Sequence, residues 1–96
     1  MKYRDFLTLH ILHHASEEPV TGSFMMEELG RHGYHVSPGT IYPLLHALEK
    51  ESLLKSHWEV RGGRRVRVYE ITKIGRKTLD EGRERLKELC TELLGE

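Results

Sequence analysis

Ser37-Pro38-Gly39-Thr40-Ile41-Tyr42-Pro43-Leu44-Leu45-His46-Ala47-Leu48-Glu49-Lys50 decides how the rest of the chain is read. It opens on a helix start. Serine is suited to capping free backbone N–H groups, and the missing N–H of proline costs nothing at the first helical position. Ile41, Leu44, Leu45 and Leu48 then recur at the i, i+3, i+4, i+7 spacing of one buried helix face. The other face carries Gly39, Pro43, His46 and Lys50, flanked by Thr40 and Tyr42. Hydroxyls, an imidazole, an ammonium and two compact residues permit close approach to another molecule. The stretch reads as a DNA-reading helix.

Upstream, Thr21 is expected to cap a helix running to about Arg31, with Phe24, Met25 and Leu29 inward. Residues 4–15 are expected to form a first helix. Leu7 and Ile11 lie on one of its sides and Leu9 and Leu12 nearly opposite. Such a helix is usually covered on both sides, here by its own domain and by a second subunit. Two helices, a short turn and a third capped helix make a helix-turn-helix pattern. Downstream, residues 54–60 and 65–71 alternate like strands around Arg61-Gly62-Gly63-Arg64, a strong hairpin-turn signal. A helix-turn-helix followed by a hairpin with a basic tip is the outline of a winged helix.

The last helix is expected over 73–94. Leu79, Gly82, Leu86, Leu89 and Leu93 are spaced three, four, three and four, which is a heptad-type seam suited to a second chain. The expected fold is therefore mainly α with a small β-hairpin. Residues 1–72 form a winged helix-turn-helix domain, and residues 73–96 a dimerisation helix that packs with the N-terminal helix of the partner subunit.

Composition narrows the function classes. The 96 residues make one small domain with a limited core, so added stability from a partner subunit fits. No apolar run approaches the roughly 20 residues of a membrane span, and the N-terminus lacks the apolar core of a signal peptide. A single cysteine, Cys90, excludes an internal disulfide. A cytoplasmic protein with no membrane partner follows. Net charge is zero, but its distribution matters more than its sum. Between positions 55 and 68, Lys55, Arg61, Arg64, Arg65 and Arg67 face Glu59 alone. With no nucleophile–base pair, phosphate-binding glycine loop or paired carboxylates, the chain does not read as an enzyme.

Residues 22–78 resemble the PadR family of bacterial transcriptional regulators. The resemblance is carried by Ser37-Pro38-Gly39-Thr40-Ile41-Tyr42-Pro43-Leu44-Leu45, Leu48-Glu49, Trp58, Gly62-Gly63-Arg64 and Tyr69-Glu70-Ile71-Thr72-Lys73-Ile74-Gly75. It implies a homodimer that binds a palindromic operator in double-stranded DNA, commonly as a repressor, and a small-molecule effector between the subunits. Three positions depart from the family pattern. Ser52 stands where a glycine usually precedes the first strand, Ser23 replaces a tyrosine after Gly22, and Arg65 replaces a proline after the turn. The last helix also lacks the tryptophans that stack on flat aromatic ligands in multidrug-responsive relatives.

The residues expected at DNA are Ser37, Gly39, Thr40, Tyr42, His46 and Lys50 of the reading helix and Arg61, Arg64, Arg65 and Arg67 of the wing. Ser37, Thr40 and the free N–H groups at the helix start suit a phosphate. Tyr42 suits a phosphate through its hydroxyl, and His46 and Lys50 suit base edges in the major groove. The arginines suit a backbone or the adjacent minor groove. Dimerisation is expected through Leu7, Leu9, Ile11 and Leu12 with Leu79, Gly82, Leu86, Leu89 and Leu93. The alternative is a winged-helix protein-interaction module without specific DNA binding. No cofactor and no metal centre is expected. His10, His13 and His14 could present imidazoles to one ion, but no neighbouring cysteine or carboxylate completes a ligand set. Trp58 is expected in core or dimer packing, and Cys90 as a small buried residue.

Overall fold

A computed structural model describes residues 2–95. Its elements are α1 (Tyr3–Glu17), α2 (Gly22–Arg31), α3 (Pro38–Lys50), β1 (Leu54–Arg61), β2 (Arg64–Ile71) and α4 (Lys73–Leu94). The architecture is mainly helical with a two-stranded antiparallel hairpin, as expected.

The stripe that defined α3 is buried as its spacing requires: Ile41, Leu44, Leu45 and Leu48 all lie in the core. They meet Met25 and Leu29 of α2, Leu54 and Tyr69 of the hairpin, and Leu7, Ile11 and Leu12 of α1. Thr21 caps α2 by accepting the Phe24 N–H at 3.1 Å. Phe24 itself turns outward and stands edge-on to His14, with ring centroids 5.8 Å apart. It is not one of the inward residues, because Met25 and Leu29 already fill that side.

The hairpin turns through two residues. Gly62 and Gly63 have φ of 57° and 77°, and Arg61 pairs with Arg64 across the turn. Both positions lie in the left-handed region that a two-residue hairpin loop demands and glycine occupies freely. A third chain segment joins the sheet unannounced by the sequence. Val20 and Tyr69 exchange backbone hydrogen bonds of 2.9 and 2.8 Å, tying β2 to the connection between α1 and α2. One residue is too short a strand to leave a period in the sequence.

The end of α3 is closed by a helix-stop motif. Leu53 N–H donates to the Leu48 carbonyl and Ser52 N–H to the Glu49 carbonyl, both at 2.9 Å. Ser52 makes this turn with φ of 65°. The geometry usually given to glycine is kept, and the serine Cβ bears the strain.

Packing divides α4. Gly75 and Leu79 are buried. A Cβ on Gly75 would lie 2.2 Å from the Leu53 carbonyl oxygen, so the start of α4 sits directly on the backbone that leads into β1. A Cβ on Gly82 would lie 2.4 Å from Leu9 Cδ2, so the small residue admits α1 of the same chain. Beyond Leu86 the helix projects into solvent, and Leu93 is 70% exposed. The seam thus changes partner along its length. Leu7, Ile11, Leu12 and Leu79, expected at a dimer interface, are inside the protomer's own core and at most 3% exposed. Leu9 and Leu86 are half-buried, whereas Leu89 and Leu93 are exposed. Core packing also runs across position 72, since Leu79 belongs to the same apolar cluster as α1 and α3. Cys90 is exposed, contrary to expectation, because the outer half of α4 has nothing from its own chain to bury against. Among the described residues, no helix is long and apolar enough to cross a membrane.

Candidate nucleic-acid interface

All six residues expected on the reading face of α3 are exposed: Ser37, Gly39, Thr40, Tyr42, His46 and Lys50. Ser37 stands at the N-cap position, but its side chain caps nothing. The Thr40 and Ile41 N–H groups donate instead to the Ser37 backbone carbonyl at 3.0 Å. The Ser37 hydroxyl caps no backbone N–H and donates instead to the Thr40 hydroxyl at 3.4 Å. Tyr42 lays its ring over Gly22, where an added Cβ would come within 2.3 Å of Cε1. The tyrosine packs on its own domain and is still 39% exposed.

The wing arginines are not equivalent. Arg67 is held between two elements: its Nη2 donates to Glu49 Oε1 at 3.1 Å and its Nε to Ser56 Oγ at 2.8 Å. Glu49 also accepts the Ser56 N–H at 2.9 Å and the Ser56 hydroxyl at 2.7 Å on Oε2. This network clamps the hairpin to the last turn of α3 and fixes the angle between reading helix and wing. Arg67 is thus a positioning residue and not a free phosphate ligand. Arg61 donates to Glu59 Oε1 at 3.1 Å. Hydrogen bonds from His57 first, and from Arg61 second, hold the Glu59 carboxyl below its usual range. Among the described residues, Arg64 and Arg65 have no carboxylate partner. Arg65 instead lies over the Trp58 ring, with Cζ 4.6 Å from its centroid, while Arg67 approaches the ring at 5.4 Å. Trp58 is 54% exposed. It belongs to neither core nor buried packing; it is a flat support that orients two guanidinium groups.

These parts converge on one cleft of about 350 Å³, between the start of α2, the face of α3 and the hairpin. Tyr42 and His46 line one wall, and Arg64, Arg65 and Arg67 the other. Thr21, Gly22 and Ser23 bring in the positive end of α2. Tyr69 lies at its buried edge, and its hydroxyl has no hydrogen-bond partner among the described residues. Burial, above all, pushes the Tyr69 pKa up, so the hydroxyl remains a donor. Ser37, Gly39, Thr40, Lys50 and Arg61 are exposed but lie outside this cleft. Sequence reasoning missed Ser23 and Tyr69. The cap at Thr21 was the available signal for the first; nothing local marks the second.

Comparison with known proteins shows the family. The sequence profile of the Transcriptional regulator PadR-like family matches residues 11–81. The chain belongs to the PadR-like family of transcriptional regulators. It is 52% identical over 92 residues to transcriptional regulator Rv3488 of Mycobacterium tuberculosis, covering 96% of this chain and 86% of that protein. Among solved structures it is similar to a PadR-like transcriptional regulator from Bacillus cereus, with 31% identity and a TM-score of 0.85, covering 95% of this chain and 90% of that one. It is also similar to a PadR family regulator from Eggerthella lenta, with 30% identity and a TM-score of 0.82 over 94% and 80% of the two chains. PadR-like proteins are regulators rather than enzymes. The PadR assignment also makes the winged helix of this chain a DNA-binding fold.

Proposed function

We propose that two copies of this chain bind an inverted-repeat operator in double-stranded DNA, acting in the cytoplasm as a repressor that a small molecule releases. In this reading α3 enters the major groove, where His46 and Lys50 meet base edges and Ser37, Gly39, Thr40 and Tyr42 meet the backbone. Arg64 and Arg65 reach the flanking phosphates or minor groove. Arg61 reaches them by leaving Glu59, and Arg67 holds the wing in place. The observation that carries the reading is the shared cleft. Tyr42 and His46 of α3 face Arg64 and Arg65 of the wing across it, so one duplex meets both.

The dimer in this reading uses the surface that the protomer leaves apolar. Leu9, Leu86, Leu89 and Leu93 remain from the expected set, joined by Tyr3 and Phe6, which are exposed on α1. A groove of about 240 Å³ lined by Phe6, Leu9, His10, Leu79, Arg83 and Leu86 lies along the same surface. This volume is below the roughly 300–1,000 Å³ of complete ligand sites, so a second subunit would complete the effector pocket. An effector acts there by favouring one spacing of the two reading helices over another.

The test is binding of the dimer to DNA from its own promoter across a range of salt. Replacing Arg64 and Arg65 together with alanine is expected to weaken binding to every sequence. It should also flatten the log–log salt dependence by about two. A double variant with the parent's affinity and slope would remove the wing from the interface. Absence of specific DNA binding even at low salt would favour a protein-interaction module.

A further inference from the structure

The outer part of the hairpin has two unlike faces. Its register sets Trp58 opposite Arg67 and Val60 opposite Arg65, so these four residues share one face. The other face carries His57, Glu59 and Arg61, joined by contacts of 2.6 and 3.1 Å. Both carboxylates of the hairpin, Glu59 and Glu70, belong to that second face. On the first face Glu49 of α3 takes up Arg67, and Arg65 has no carboxylate partner among the described residues. Val60, beside it, is 72% exposed, more than any other large apolar residue described. One unpaired guanidinium therefore stands on an apolar strip that the protomer leaves open to water.

On the reading that α3 enters the major groove, we propose that Trp58, Val60 and Arg65 select an A·T-rich minor groove beside each half-site. The wing then reads the shape of DNA that α3 does not touch. A surface made for phosphates alone would gain nothing from Val60 and Trp58, because an apolar side chain offers a phosphate no hydrogen bond. The walls of the minor groove are deoxyribose rings, and their C–H surfaces suit both residues. Charge points the same way. Negative potential is strongest where the groove is narrow, as in A·T runs, and it draws an unpaired guanidinium inside. The flat, weakly hydrated guanidinium enters such a groove more readily than an ammonium. A G·C pair opposes entry, since the guanine amino group sets a donor against the donors of arginine.

The supports of Arg65 suit this role. Its Cζ lies 4.6 Å from the centroid of the Trp58 ring. The stack holds the guanidinium on this face before DNA arrives, which lowers the entropy cost of ordering it. Trp58 is thus a positioning residue that acts through Arg65. Gly62 and Gly63 turn the chain with no side chain at the tip to block the groove. Arg64, at the same tip, has no aromatic ring beneath it among the described residues and is left to the phosphates.

The experiment is anisotropy titration of the full chain against the fragment of its own promoter that it binds, with the flanks located by footprinting. The flanking pairs are made A·T, G·C or inosine·cytosine. The last keeps the major-groove face of G·C but lacks the minor-groove amino group. A·T and inosine·cytosine flanks should bind alike, and G·C flanks at least about tenfold more weakly. Arg65→Lys and Trp58→Leu should each shrink that difference to about threefold or less. Arg65→Lys keeps its charge and should keep the parent's salt dependence. Arg64→Lys should keep the full difference. Melting curves check folding; Arg65 is exposed, so its variant tests the inference even if Trp58→Leu unfolds. Specific binding that ignores the flanks would overturn this inference and leave the operator reading intact. So would inosine·cytosine flanks that behave as G·C, full discrimination in Arg65→Lys or in folded Trp58→Leu, or its loss in Arg64→Lys. Absence of any specific DNA binding would instead remove the operator reading, and this inference with it.

Discussion

α3 and α4 carry apolar residues at almost the same spacing, yet only α3 buries its whole stripe inside the protomer. Ile41, Leu44, Leu45 and Leu48 are all covered, because α1, α2 and the hairpin surround that face. α4 is covered by α1, β2 and the Leu53 backbone for its first turns and by nothing from its own chain afterwards. Helical periodicity states which face is apolar; it does not state which chain covers it. The two helices also differ in their opposite faces. The outer face of α3 sends Tyr42 and His46 into a cleft shared with the wing, whereas that of α4 is solvated charge.

Truncation at equivalent points of the two stripes gives the largest contrast. Leu45→Ala is expected to cost about 2–5 kcal/mol in denaturant unfolding, since the site is closed on every side. Leu93→Ala should leave the unfolding of the dilute protomer within about 0.5 kcal/mol of the parent. Its effect should appear in sedimentation, as weaker self-association. Equal unfolding costs would mean that both stripes lie in one core.

Two glycines of α4 sharpen the same contrast. Gly75→Ala drives a Cβ into the Leu53 carbonyl, which cannot move without shifting β1. A loss of about 1–3 kcal/mol is expected. Gly82→Ala meets only the flexible end of Leu9. The helix-propensity gain of about 1 kcal/mol should largely offset that contact. Melting temperatures of the two variants check the order, and a larger loss for Gly82→Ala would reverse it.

The smallest effect lies at the junction of α3 and the wing. Ser52→Gly relieves a left-handed backbone that costs an L-residue about 1–2 kcal/mol. Glycine's extra unfolded-state freedom takes back part of this, so a gain of about 0.5–1 kcal/mol is expected. Denaturant midpoints measure it, and unchanged stability would show that the serine bears no strain there.

Much of the fold was legible because its signals are local. The Thr21 cap, the α3 stripe and the glycine pair at the hairpin tip depend on residues a few positions apart. The outward face of α3 was legible for the same reason, as the complement of its buried stripe. The wing was legible as charge but not as geometry. Arg64 and Arg65 point into the cleft, Arg67 is clamped by Glu49, and Arg61 pairs with Glu59. Four arginines in one short segment look alike until folding shows which of them meets a carboxylate: Glu59 of the same strand for Arg61, Glu49 of α3 for Arg67.

The sequence by itself determined the winged-helix outline, its PadR kinship and the face of α3 that stays exposed. The outline and the exposed face follow from periodicity, caps and turn chemistry; the kinship follows from a resemblance carried by motifs such as Ser37–Leu45 and Tyr69–Gly75. Tertiary structure alone decided that Leu7, Ile11, Leu12 and Leu79 serve the protomer's core and that Trp58 supports arginines in the open. It also decided that Glu28 meets His14 and His32. Each of these is a meeting of side chains from different elements, set by how helices and hairpin pack, and no local spacing in the chain encodes such a distance.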